Sequence, residues 1–133
     1  MTAPRTYSIR QLTKEFGVTA RTLRFYEDEG LIAPERRGQT RIYSQRDRAR
    51  IILILRGRRV GFSLAEIREI LDLYAMHDGG VAQAVHSRKK FVERIAALEQ
   101  QKIDIDESLI ELRRGIASLD ERLSAQQQRP HAA

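Results

Sequence analysis

The chain has 133 residues, 41% hydrophobic and 32% charged, which suits one compact head plus an extended, solvated helical element. It contains no cysteine, which excludes disulfides, thiolate metal sites, cysteine nucleophiles and iron–sulfur clusters. No apolar run approaches the roughly 18 residues of a membrane span, and the opening MTAPRTYSIRQ lacks a secretory apolar stretch, so a cytoplasmic protein without a membrane partner is expected.

The net charge of +6 is unevenly placed. Up to Ala75 there are 15 Lys+Arg against 9 Asp+Glu, whereas from Met76 onward the two classes balance at 9 and 9. Of the first 15 cations 14 are arginine, whose planar fork suits phosphates and guanine edges. Solvation alone would mix lysine with arginine and spread both, so this asymmetry points to nucleic acid.

In chain order, Ser8-Ile9-Arg10-Gln11 reads as a capping box that opens a helix carrying Ile9, Leu12 and Phe16 on one face and stopping at Gly17. Thr19 caps a second helix, Ala20 to Glu29, closed by Gly30. Two short helices around Gly17-Val18-Thr19 fit a helix-turn-helix, and they fit an ordinary αα-hairpin equally well. In the first case Val18, Leu23 and Leu31 pack inward. The second helix then offers Arg21, Thr22 and Arg24, with Phe25 and Tyr26 beside them, to a major groove wide enough to admit it.

Residues 34–43, PERRGQTRIY, read as a small β-hairpin, either a plain surface hairpin or a wing whose Arg36, Arg37 and Arg41 meet backbone phosphates. Ser44 with Asp47 caps a third helix, in which Ile51-Ile52-Leu53-Ile54-Leu55 supports the head and Arg56, Arg58 and Arg59 return the chain to solvent. A second full capping box, Ser63-Leu64-Ala65-Glu66, opens a fourth helix with Leu64, Ile67, Ile70, Leu71 and Tyr74 on one side.

The tail carries the cleanest period. Phe91, Ile95, Leu98, Lys102, Ile105, Leu109, Leu112, Ile116, Leu119 and Leu123 alternate spacings of four and three, and nine of these ten positions are apolar. A sustained 3.5-residue repeat marks a coiled-coil seam. No second helix of matching length exists in the chain, so the seam predicts a homodimer. Lys102 on the seam sets register at a cost in stability, and Gly115 costs roughly 1 kcal/mol in a helix interior. Charges leave strand direction open: a parallel pair offers Arg94 to Glu99, and an antiparallel pair centred near Asp106 offers Glu99 to Arg113.

The expected organisation is a head over residues 1–75, a linker over 76–80, a dimerisation helix over 81–125 and a disordered end over 126–133. The fold class is mainly α: an N-terminal winged helix-turn-helix head with a small β-hairpin wing, then a long C-terminal coiled-coil dimerisation helix. An enzyme is not expected. His77, His86 and His131 form no i, i+4 metal pair, and no P-loop, G-x-S-x-G or G-x-G-x-x-G occurs. A coiled-coil adaptor leaves the arginine-rich head unexplained, and an RNA binder would favour more exposed aromatics for stacking than Tyr7, Phe25, Tyr26 and Tyr43 supply.

With those elements placed, the run from Tyr7 to Tyr74 resembles the head of MerR-type regulators, through "GVTARTLRFYEDEGLI" and "GFSLAEI" and the arginine–tyrosine wing between them. The resemblance covers about half the chain. It implies that Thr19, Arg21, Thr22 and Arg24 approach bases and phosphates, that Tyr26 contacts the DNA backbone, and that Arg37, Arg41 and Tyr43 serve the wing. One departure is Thr40, where a tyrosine often precedes the wing arginine. The family pattern further implies an antiparallel helix pair, an inverted-repeat operator distorted so that RNA polymerase can engage, and control by a small effector. Within the family the chain looks most like regulators of leucine/isovalerate and acyl-CoA catabolism. That fits its lack of cysteine, because the metal- and redox-sensing branches carry cysteines in the tail. No metal or cofactor is expected, and the region of Tyr74, His77 and His86 is the expected place for an effector.

Overall fold

A computed structural model describes residues 4–74 and 80–128. Eight elements follow in order: β1 (Tyr7–Ser8), α1 (Ile9–Phe16), α2 (Ala20–Asp28), β2 (Glu35–Arg37), β3 (Thr40–Tyr43), α3 (Gln45–Arg59), α4 (Leu64–Tyr74) and α5 (Val81–Gln128).

The helix starts follow from local chemistry. The Ser8 hydroxyl accepts from the Gln11 amide at 3.1 Å, while the Gln11 side chain accepts from the Ser8 amide at 2.8 Å. Ser44 and Asp47 repeat this exchange at 3.0 and 2.9 Å, and Ser63 with Glu66 at 3.2 and 3.0 Å. Each box satisfies two amides that a helix leaves unpaired at its first turn. Thr19 caps α2 by accepting from the Thr22 amide at 3.1 Å.

The sheet has three antiparallel strands in the order β1-β3-β2. The hairpin pairs Glu35 with Ile42, Arg36 with Arg41 and Arg37 with Thr40, so two residues, Gly38 and Gln39, make the turn. Gly38 has φ 65, the left-handed region that two-residue hairpins require and side chains resist. Strand β1 was not anticipated from the sequence: Tyr7 pairs with Tyr43 and Ser8 with Ile42, adding a strand to the hairpin's inner edge.

Leu12, Leu23, Leu31, Ile51, Ile54, Ile67 and Leu71 are buried to 1% exposure or less and make one core with Tyr43 and Phe62. Val18 packs against it only partly buried. Helices α3 and α4 meet closely at Gly57, where an added Cβ would lie 2.8 Å from Ile67 Cγ1. Asp47, only 5% exposed, ties the head together. Besides closing the Ser44 box, its other oxygen accepts from the Ala33 amide at 3.0 Å, fixing the loop between α2 and the wing.

Two expected boundaries are corrected. Helix α5 continues to Gln128, three residues past the expected end, because Gln126, Gln127 and Gln128 are good helix formers. The chain also divides at Lys90/Phe91, so the first turns of α5 belong with the head. The cause is their anchorage to α4: Ser87 is buried, and Lys90 pairs with Glu69 at 3.3 Å. Most of the proposed linker, and the chain's last five residues, lie outside the described residues.

From Phe91 onward, the apolar seam positions of α5 are largely exposed. Phe91, Ile95, Leu98, Ile105, Leu109, Leu112, Ile116, Leu119 and Leu123 are 38% to 65% exposed. Among the described residues, no helix is long and apolar enough to cross a membrane.

Candidate nucleic-acid interface

Helix α2 is short, capped, and seated on the core through Leu23 and Tyr26, which leaves Arg21 and Arg24 exposed on its outer side. The Thr19 and Thr22 hydroxyls lie 2.9 Å apart, so the expected pair of contact residues forms one polar corner at the helix start. Phe25 adds an apolar surface, 46% exposed, on the same helix.

Arg58, at the end of α3, is not among the expected contact residues but lies beside them. It lines a shallow hollow of about 320 Å³ together with Arg21, Thr22, Phe25, Tyr26 and Leu64. Its nearness to α2 follows from the α3–α4 packing, whereas the sequence shows only a basic helix end.

Both tyrosines expected at the interface are buried. Tyr43 is fully buried, and its hydroxyl has no hydrogen-bond partner among the described residues. Its ring is needed in the core, because Tyr43 is the inward residue of β3 and pairs with Tyr7. Burial pushes its phenol above the usual value, with Arg41 opposing, so it stays neutral. Tyr26 is 6% exposed and belongs chiefly to the core, lining the hollow beside Arg21. Burial raises its phenol too, against the field of Arg58.

The wing arginines are all present and all paired. Arg36 Nη2 donates to Glu27 Oε2 at 3.0 Å, and Arg41 Nε donates to the same oxygen at 3.2 Å. Arg37 Nε reaches Glu35 Oε1 at 3.5 Å. Glu27 belongs to α2, so its carboxylate joins the recognition helix to both strands of the hairpin. Beneath the head, Arg48 grips the Glu15 carboxylate through two nitrogens, Nε at 3.1 Å and Nη2.

A second polar cluster lies where α4 meets the first turns of α5. His86 Nε2 is 3.2 Å from Glu69 Oε2, and a hollow of about 300 Å³ is lined by Glu69, Asp72, Gln83, His86 and Ser87. The Tyr74 side chain and His77 lie outside the described residues. Among the described residues, no group of three or more His, Cys, Asp or Glu could hold a metal ion.

The capped two-helix unit, its exposed arginines and the adjoining hairpin define a winged helix-turn-helix. A family model described as MerR HTH family regulatory protein matches residues 7–73, and one described as MerR, DNA binding matches residues 48–121. The chain belongs to the MerR family, whose members are DNA-binding transcriptional regulators and not enzymes. It is 35% identical to the HTH-type transcriptional regulator HmrR of Rhizobium leguminosarum bv. viciae, over 84% of this chain and 82% of the relative. Its identity to CueR of Salmonella typhimurium is 31%, over 70% and 67%. In fold it is similar to a MerR family transcriptional regulator of Listeria monocytogenes, with a TM-score of 0.66 and 25% identity over 92% of each chain. A transcription regulator of Ralstonia metallidurans solved with lead(II) gives a TM-score of 0.59 and 27% identity, over 80% of this chain and 84% of that one. These matches establish the family without distinguishing an acyl-CoA subgroup within it.

Proposed function

We propose that the protein acts in the cytoplasm as a homodimer on an inverted-repeat promoter operator, and reshapes that operator for RNA polymerase when a small effector binds. The observation that carries the dimer is the uncovered seam of α5. Eight large apolar side chains in heptad register, from Ile95 to Leu123, are 38% to 65% exposed, and no element among the described residues of their own unit covers them. Burying each against a second copy contributes on the order of 1 kcal/mol, enough together to offset the cost of association.

Base reading falls to Arg21 and Arg24, supported by their exposure on a short helix that a major groove can admit. Thr19 and Thr22 meet backbone or base edges at the helix start. Arg36, Arg37 and Arg41 supply phosphate contacts from the wing, and Arg58 adds one from α3.

The effector we propose is organic, of the acyl-CoA class. Its support is the subgroup resemblance together with a sequence that lacks cysteine, unlike the thiolate chemistry of metal-sensing branches. Glu69 and Asp72 beside the junction hollow disfavour phosphate there, so the nucleotide of such an effector would lie outside it.

Footprinting on the promoter beside the protein's own gene tests the reading. A protected inverted repeat, with central base pairs becoming hypersensitive on addition of an acyl-CoA, is the expected pattern. Protection of a single half-site would overturn the dimer. An unchanged footprint and unchanged Tm across a CoA-thioester panel would overturn the effector class alone.

A further inference from the structure

The wing arginines meet a competitor for DNA before they meet DNA. Glu27, on the recognition helix, accepts from Arg36 at 3.0 Å and from Arg41 at 3.2 Å, and its side chain is only 14% exposed. Arg36 and Arg41 are also directly cross-strand partners in the hairpin, where two like charges repel. A single carboxylate between them removes that repulsion and fastens both strands to α2. The two arginines differ in access: the Arg41 side chain is 20% exposed and the Arg36 side chain 58%.

From this arrangement we infer that Glu27 is a specificity-determining positioning residue. It keeps Arg41 as a fixed strut between wing and recognition helix, and it makes Arg36 exchange a carboxylate for a phosphate on binding. The exchange occurs only where the helix is seated deeply enough for a phosphate to reach Arg36. On a non-cognate duplex the helix sits higher, Arg36 stays with Glu27, and one phosphate contact is forgone. Glu27 therefore lowers non-specific affinity more than specific affinity. The inference rests on the proposed phosphate role of the wing, and of the two arginines on Glu27 it assigns that role to the more exposed Arg36 in place of Arg41.

The test compares full-length wild type with Glu27→Gln on two duplexes of equal length. One is selected from a random pool by the wild-type protein, and the other is its scrambled version. Glu27→Gln should tighten binding to the scrambled duplex about tenfold, steepen its salt dependence by about one unit, and leave the selected duplex within about threefold. The specificity ratio should fall accordingly. Asp28→Asn, one residue along the same helix, adds the same net charge without touching the wing, and should leave the ratio unchanged. An unchanged ratio for Glu27→Gln, or an equal fall for Asp28→Asn, overturns the inference. If Arg36→Ala/Arg41→Ala binds both duplexes like wild type, the phosphate role of the wing is what fails. If that double variant does weaken binding, adding Glu27→Gln to it should no longer move the ratio; a persisting effect overturns the inference. Should Glu27→Gln fail to fold, Glu27→Asp, one methylene too short to span both arginines, should lower the ratio in the same direction.

Discussion

At position 43 a phenol hydroxyl is sealed in the core without a hydrogen-bond partner among the described residues, which costs about 1–3 kcal/mol relative to a satisfied group. Tyr43→Phe deletes the oxygen and keeps the ring against β1. The variant should melt at an equal or higher temperature than wild type, by up to about 1 kcal/mol, with operator affinity unchanged. Weakened operator binding with unchanged stability would restore the DNA contact that the family resemblance implied. Glu15 offers a pH-dependent counterpart. Its hydrogen bond to Arg48, reinforced by the charges of Arg48 and Arg5 and opposed by slight desolvation, holds its carboxyl below the usual 4.5. A depressed folded-state value means stability present above 4.5 and lost as pH falls through the lower folded value. Glu15→Gln should thus melt below wild type at pH 7, and the gap should close in acid. The effect should be modest, since the pair is solvent-exposed and screened.

At the scale of elements, α2 and the wing are joined through Glu27, and on the proposed reading they meet DNA together. Arg21→Ala should cost roughly 1–3 kcal/mol on the cognate operator and relax base preference at one position. Titrations against an operator panel would show this, and an equal loss on random DNA would reduce Arg21 to a phosphate contact. The helices were legible in the sequence because their signals are local. Ser8 and Gln11, Ser44 and Asp47, Ser63 and Glu66 each lie three residues apart, and the hydroxyl and the side chain that answer one another are both written within one turn. Strand β1 was not legible: Tyr7 and Ser8 become a strand only through partners at Tyr43 and Ile42, far along the chain. The pairing of Glu27 with Arg36 and Arg41 spans 9 and 14 residues and depends on how the hairpin folds over α2. The burial of Tyr43 and the approach of Arg58 to α2 are hidden for the same reason. Periodicity assigns a residue to a face, and tertiary packing decides whether that face meets solvent.

At the scale of the whole molecule, Lys102 interrupts an otherwise apolar seam, where a polar residue trades stability for register. Lys102→Leu should lower the dimer dissociation constant by tenfold or more and admit alternative registers. Sedimentation velocity would report the tighter dimer, and cysteine-free spin or fluorophore pairs placed along α5 would report a broadened distance distribution. A weaker dimer would place the ammonium in a favourable interhelical contact instead.

The uncovered ridge of α5 also has a consequence for gene dosage. In the proposed homodimer, the active species rises with the square of chain concentration while dimers are scarce, and linearly once they dominate. Well below that crossover, and with the operator unsaturated, a twofold change in synthesis gives up to a fourfold change in occupied operator; above it the response falls to twofold. The strength of the seam, which Lys102 and Gly115 both moderate, thereby sets the expression level at which the promoter begins to respond.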